Sequence, residues 1–314
     1  MKKLIPTLAL IVIATTACQI GNSVATSTIT PLPTASPSPT PIPLSPTAAP
    51  PAATPSSEEK TSPVDGMVMI YIPEGTFRMG GLDVNADTDE KPAHKIILHA
   101  FWMDKLEVTN QMYLMCHNAG VCDLPIEFRS EKRDKYFNTT EFADYPVIYV
   151  TWQMADTYCQ WAGRRLPTEA EWERAARGDD MRTFPWGDEI PDALRANFDW
   201  YVRDTSRVGS YPTGASPFGV LDMAGNVWEW VSDYYNPNYY GKSPELNPTG
   251  PLIPVDVSPR YVIRGGSYQD VVVELRVSNR GYASGPNPSV KDVNSYEYLG
   301  VSSTKIGFRC VSDS

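Results

Sequence analysis

The sequence predicts a mixed α+β body with little regular structure, set behind a long unstructured tail. Three observations point there. Short, partly β-branched apolar runs have the length of strands, two segments carry clear helix punctuation, and beyond Gly178 the chain is mostly Gly, Pro, Asn, Asp and aromatic residues without a sustained period. The tail is marked off by proline, since 11 of the 29 prolines fall between Pro31 and Pro63. The 314 residues allow one large domain or two small ones, and a 42% hydrophobic share is enough to form a core.

At the N-terminus Lys2 and Lys3 precede an apolar run, Leu4 to Ala14, followed by Thr15-Thr16-Ala17-Cys18. A basic start, a short apolar stretch and small residues before a cleavage point read as a secretory signal. The run falls short of the roughly 20 residues that span a bilayer. Cys18 resembles the lipobox cysteine of bacterial lipoproteins, although Thr15 stands where an aliphatic residue is usual. That predicts an exported chain anchored to the cell membrane through lipid on Cys18, on the extracytoplasmic face. Residues 19–65, rich in Thr, Ser, Ala and Pro, cannot bury enough apolar surface to offset ordering entropy and read as a semi-rigid tether. Residues 66–314 form the body.

Within it, Met67 to Ile72 reads as a strand and Pro73-Glu74-Gly75 as a turn; Lys95–Leu98 and Phe101–Met103 suggest further strands. Thr151 to Trp161 has apolar residues at helical spacing and meets Gly163 as a C-terminal cap. Thr168-Glu169-Ala170-Glu171 is a capping box after Pro167, and its helix stops at Gly178. The irregular remainder needs staples. Cys116, Cys122, Cys159 and Cys310 are an even set in an exported chain, which suggests disulfides with three pairings open. A bridge between Cys116 and Cys122 is locally easy, and Cys159 with Cys310 would then tie a helix to the end of the chain. A four-Cys zinc site lacks the paired short spacings.

Net charge −10 and the absence of a basic run after residue 3 argue against nucleic-acid binding. His94 and His99 flank a predicted strand and point to opposite faces, and His117 lies on a helix beside Cys116, so the three histidines read as bystanders. No phosphate loop, nucleophile elbow or Ser/His/Asp arrangement is apparent.

Several segments occur together: Glu107-Val108-Thr109-Asn110; Trp161 to Glu173, with Gly163-Arg164-Arg165-Leu166-Pro167-Thr168-Glu169; Phe184-Pro185-Trp186-Gly187; Asp222 to Trp230; Arg264-Gly265-Gly266-Ser267; and Gly307-Phe308-Arg309-Cys310. In this order they resemble the formylglycine-generating enzyme (sulfatase-modifying factor) superfamily. The resemblance implies a C-type-lectin-like fold with a small antiparallel sheet, flanking helices, bound calcium and a Cys159–Cys310 disulfide. Authentic members oxidise a sulfatase cysteine with O₂ and a copper(I) ion held by two thiolates, as a soft ion requires. Those thiolates follow the Arg-Gly-Gly-Ser arginine by six and eleven residues, where this chain has Asp270 and Leu275. Copper is therefore not expected.

The resemblance also implies a structural calcium held by Asp222, the Gly225 and Val227 carbonyls and Glu229. A second would use Asn197, the Phe198 carbonyl and a downstream carboxylate, with Asp204 nearest and Asp199 competing. A remaining cleft would lie at Trp228, Ser267, Asp270 and Glu274, and Tyr234, Tyr235, Tyr239 and Tyr240 offer an aromatic patch for sugars. The leading expectation is a surface-tethered, calcium-stabilised binding or scaffold module for a peptide, glycan or surface protein. The alternatives are an oxidoreductase making formylglycine in sulfatases or a related modification, and a structural part of a surface complex.

Overall fold

The computed structural model describes residues 58–287 and 300–314. The leader, Cys18 and the tether up to residue 57 lie outside the described residues. The folded body starts upstream of the expected boundary at 66. Strand β1 (Glu59–Thr61) pairs antiparallel with β2 (Val68–Ile72), and Asp65 is buried, accepting a 2.7 Å hydrogen bond from Tyr158 Oη and pairing with Arg164.

The first sheet has the order β1-β2-β5-β10, with β5 at Phe101–Asp104 and β10 at Val311–Asp313. Its pairs are all antiparallel, and the last described strand, β10, closes on β5. Strands β3 (Gly75–Met79) and β4 (His94–Leu98) form a separate hairpin. The third sheet has the order β8-β7-β6-β9, from Gly281–Ser284, Arg260–Arg264, Trp228–Tyr234 and Ile306–Phe308; only its β6–β9 pair is parallel.

Among the described residues three α-helices flank these sheets. α1 (Asn110–Asn118) and α2 (Trp152–Trp161) start at Thr109 and Thr151, whose side chains accept the amides of Met112 and Met154. α3 (Glu169–Arg177) has the expected capping box: Thr168 Oγ1 accepts from Glu171 N and Glu171 Oε2 from Thr168 N. Gly178 ends it at φ +78°, where a side chain would be strained. One core cluster packs β2–β5 on α3 through Trp172, Ala175 and Ala176; another packs α1 and α2 on the third sheet. Both disulfides form, Cys116–Cys122 across 6 residues and Cys159–Cys310 across 151. Among the described residues no helix is long and apolar enough to cross a membrane.

Candidate functional site

The Arg264–Ser267 turn is placed by a buried arginine. Arg264 donates to the carbonyls of Val277 (2.7 Å), Ser278 (3.0 Å) and Asn279 and to Glu173 Oε2 (2.5 Å), which fixes the end of β7. Gly265 and Gly266 follow at φ +97° and +75°, and a Cβ on Gly266 would lie 3.1 Å from the Glu274 carbonyl. The turn presents Ser267 to Asp270. One Asp270 oxygen, Oδ2, accepts from Trp228 Nε1 (2.8 Å), Ser267 N (3.0 Å) and Ser267 Oγ, while Lys305 Nζ stands 3.7 Å from Oδ1.

Trp228, Ser267 and Asp270 are therefore brought together, but with Trp228 and Ser267 buried: they hold Asp270 instead of lining an open cleft. Glu274 lies one short 3₁₀ turn on, with Oε2 buried and unpartnered. Leu275 is fully buried among Phe184, Ala196, Phe198 and Ala224. Where two soft ligands would face each other there is a hydrogen-bonded carboxylate and a packed aliphatic side chain, so this donor set does not fit copper(I).

The loop from Asp199 to Arg203, which the sequence offers only through Asp199 as a calcium candidate, borders Asp270. Asp199, Trp200 and Arg203 all take left-handed φ values (48°, 57° and 65°), unusual for residues with side chains. The loop is clamped to the Asp270 segment by Asp199 N to Asp270 O (2.8 Å) and Trp200 N to Tyr268 O (2.7 Å). It exposes Trp200 (41%) and Tyr201 (71%) beside exposed Val271 and Val273. No periodic signal marks such a loop; three non-glycine residues at positive φ are a property of the fold alone. The expected tyrosine patch is instead packing. Tyr235 and Tyr240 are buried, their hydroxyls bonded to Asp89 (2.7 Å) and Glu169 (3.3 Å), and Tyr234 packs on Tyr261.

The Asp222–Glu229 loop carries an excess of buried negative charge. Asp222 (φ +56°) accepts from Gly209 N at 2.6 Å, and Gly225 must be glycine because a Cβ would lie 2.3 Å from the Asn197 carbonyl. Glu229 accepts from Arg309 Nε and Nη2 and from Trp172 Nε1, each at 2.7 Å. Glu107 joins them, accepting from Asn226 Nδ2 (2.7 Å) with its Oε1 buried and unpartnered. Burial first, then the Asp222 and Glu229 charges, pushes the Glu107 carboxyl well above its usual range; burial, with Glu229 adding to it, raises Asp222 to about 6. Arg309 is the cation acting on these three carboxylates. The unpartnered acceptor is Glu107 Oε1, outside the expected ligand set, and both Glu229 oxygens are already used by Arg309 and Trp172. The surplus of buried carboxylates is nevertheless the hard-oxygen chemistry that calcium takes, and Asp222, the Gly225 and Val227 carbonyls and Glu229 would hold it only if Glu229 gives up one of these donors.

The second set does not fit in the same way. Asn197 Oδ1 is buried and unpartnered, but the Phe198 carbonyl accepts from Tyr201 N and Asn197 reaches Asp204 only through the latter's carbonyl (2.8 Å). The Asp204 carboxylate turns away to Ser130 Oγ (2.6 Å), Lys132 N, Thr205 N and Arg133 (3.2 Å), and Asp199 is exposed. Among the described residues no three His, Cys, Asp or Glu side chains are grouped to hold a metal. Glu107 and Arg309 had appeared in the sequence only as letters of motifs, without roles.

Residues 52–314 match the family model of the sulfatase-modifying factor enzyme 1-like domain. The chain is 32% identical over 321 residues to the formylglycine-generating enzyme of Streptomyces coelicolor, covering 85% of this chain and 96% of that protein. It is 37% identical over 235 residues to the serine/threonine-protein kinase pkn1 of Chlamydia pneumoniae, covering 68% of this chain but 35% of the relative, so it spans about a third of that kinase's length. Among solved structures it resembles PvdO from Pseudomonas aeruginosa, with TM-score 0.63, 26% identity and coverage of 82% of this chain and 98% of that one. The fold, the motif order and these matches together make this chain a member of the formylglycine-generating enzyme (sulfatase-modifying factor) family.

Proposed function

We propose that this chain is a non-oxidase member of its family: a calcium-stabilised binding or scaffold module, displayed at the extracytoplasmic face of a membrane through lipid on Cys18. The carrying observation is Asp270, whose Oδ2 takes three donors where the resemblance puts a thiolate, with Leu275 buried at the second position. The four body cysteines are committed to disulfides, so they supply no other thiolate pair. Ligand contact falls to the exposed rim around Asp270 and Glu274, where Trp200 and Tyr201 offer flat apolar faces of the kind that stack on sugar rings or cationic side chains. Peptide, glycan or surface-protein ligands all suit this rim. Kinase chemistry is not carried over, because the match covers about a third of the kinase relative.

The identity with the Streptomyces coelicolor enzyme favours the alternative, an oxidoreductase acting on a sulfatase cysteine. The two readings separate when the purified full chain, disulfides oxidised, is incubated with a sulfatase-type cysteine peptide, O₂ and copper(I). The proposal expects the peptide's thiol to persist; aldehyde formation dependent on the chain overturns it.

A further inference from the structure

A cavity of about 560 Å³ opens where the end of β4, α2, the α2–α3 turn, β6 and the end of β10 meet. It shares no residue with the Asp270 rim, so it stands whether or not that rim binds anything. The size suits a small organic molecule. Leu98 and Leu166, both buried, give it an apolar floor.

Its charged groups are three carboxylates and one guanidinium. Arg165 is fully used. Nη1 and Nη2 each donate to Glu171 at 2.7 Å, Nη2 and Nε donate to Asp313 Oδ1 (2.7 and 3.3 Å), and Nη1 also reaches the Leu166 carbonyl (3.3 Å). It has no donor left for an anion. Two of the first amides of α3 are also engaged, Glu169 N–H by Asp233 and Glu171 N–H by Thr168. Asp156, on α2, is different. It is half-buried, takes one hydrogen bond, from Gln160 Nε2 at 2.7 Å, and has no ion-pair partner among the described residues. Burial raises its carboxyl above the usual range, with the Gln160 bond opposing. Asp156 is thus a partly buried carboxylate without an ion-pair partner among the described residues, and Glu171 and Asp313 share one guanidinium, so the cavity carries net negative charge that a cation would balance. The rest of its lining is mixed, apolar at Leu98 and Leu166 and polar at Thr168, Ser232 and Thr249.

We propose that this cavity is a ligand site for a small organic cation, a primary ammonium on an aliphatic body, with Asp156 as counter-ion and Leu98 and Leu166 as the surface on which the body lies. Anions are disfavoured by the carboxylate excess, and neutral isosteres leave Asp156 uncompensated.

The test is calorimetric titration of the full chain with three five-carbon probes: cadaverine, 1,5-pentanediol and glutarate. Cadaverine should bind saturably, with the diol and the diacid at least about tenfold weaker, the factor that roughly 1.4 kcal/mol supplies. Asp156→Asn, which alters one half-exposed group, should weaken cadaverine by about tenfold while leaving the melting temperature within a degree or two. Asp144→Asn, an exposed carboxylate paired with Arg207 and outside the cavity, controls for the general attraction of an acidic protein and should change nothing. Three results would each overturn the proposal: no saturable cadaverine binding up to about 10 mM, equal binding of diol or diacid, or equal losses from both variants.

Discussion

Asp270→Ala removes the acceptor of three donors at once, and its cost follows from burial. Trp228 is 6% exposed and Ser267 fully buried, so their N–H and O–H groups lose a charged acceptor where water has little access. Each buried donor left unsatisfied costs about 1–3 kcal/mol. Because Asp270 itself is half-buried, water entering its place recovers part of this, which leaves about 2–4 kcal/mol. For a body of this size each kcal/mol lowers the midpoint by roughly 2–4 °C, so thermal unfolding should fall by about 5–15 °C. Asp270→Asn keeps an acceptor oxygen and should lose only about 1 kcal/mol. Urea unfolding at neutral pH, followed by tryptophan fluorescence, ranks the three chains. If the alanine variant matches the parent within about 0.5 kcal/mol, Asp270 does not hold this turn together and the account of the replaced thiolate position is wrong.

Asp233 supplies a pH prediction. It is buried, with the Glu169 amide and Ser232 hydroxyl as donors, and burial together with the Glu169 charge raises its carboxyl to about 7 from the ordinary 3.8. The folded chain holds a proton there that the unfolded chain has released, so this stabilisation is full below about 4 and is lost as pH rises through about 7. Asp233→Asn should flatten the fall, by up to about 4 kcal/mol, in denaturation curves between roughly pH 4 and pH 8. Opening the Cys159–Cys310 bridge (Cys159→Ser with Cys310→Ser) releases a 151-residue loop and should cost about 5 kcal/mol, against about 2 for the 6-residue Cys116–Cys122 loop; denaturation midpoints give the ratio. Calcium at about a hundred times its dissociation constant should stabilise the body by roughly 2.7 kcal/mol, a midpoint rise of about 5–10 °C that EGTA reverses. A melting curve indifferent to both would remove calcium from the Asp222–Glu229 loop.

What the sequence made legible follows physical lines. α2 and α3 announce themselves because threonine caps and terminal glycines are local chemistry, and β2, β4 and β5 because their side chains are chiefly apolar. The third sheet was missed. β6 contains Glu229 and Asp233, both buried, β7 ends in buried Arg264, and neither alternates, because inside the fold Glu229 pairs with Arg309, Arg264 pairs with Glu173 and Asp233 accepts the Glu169 amide. The sheet's pairings run from Ile263 with Gly281 to Trp228 with Ile306, across irregular segments that leave no local trace of which strand meets which. The Asp270 position is readable only through the resemblance, and its donors Trp228 and Ser267 look like ligand contacts in the motif because burial cannot be seen there. The boundary at 66 was late because Glu59–Thr61 is a polar edge strand, which nothing in its composition separates from a tether.

The most direct test of the central claim is a copper(I) titration of the oxidised full chain against a competing chromogenic chelator. The account predicts that the chain removes no copper from the chelator, since a carboxylate bound by three donors and a buried leucine stand at the thiolate positions. Stoichiometric capture of copper(I) by the unaltered chain would contradict it and put the oxidase reading first.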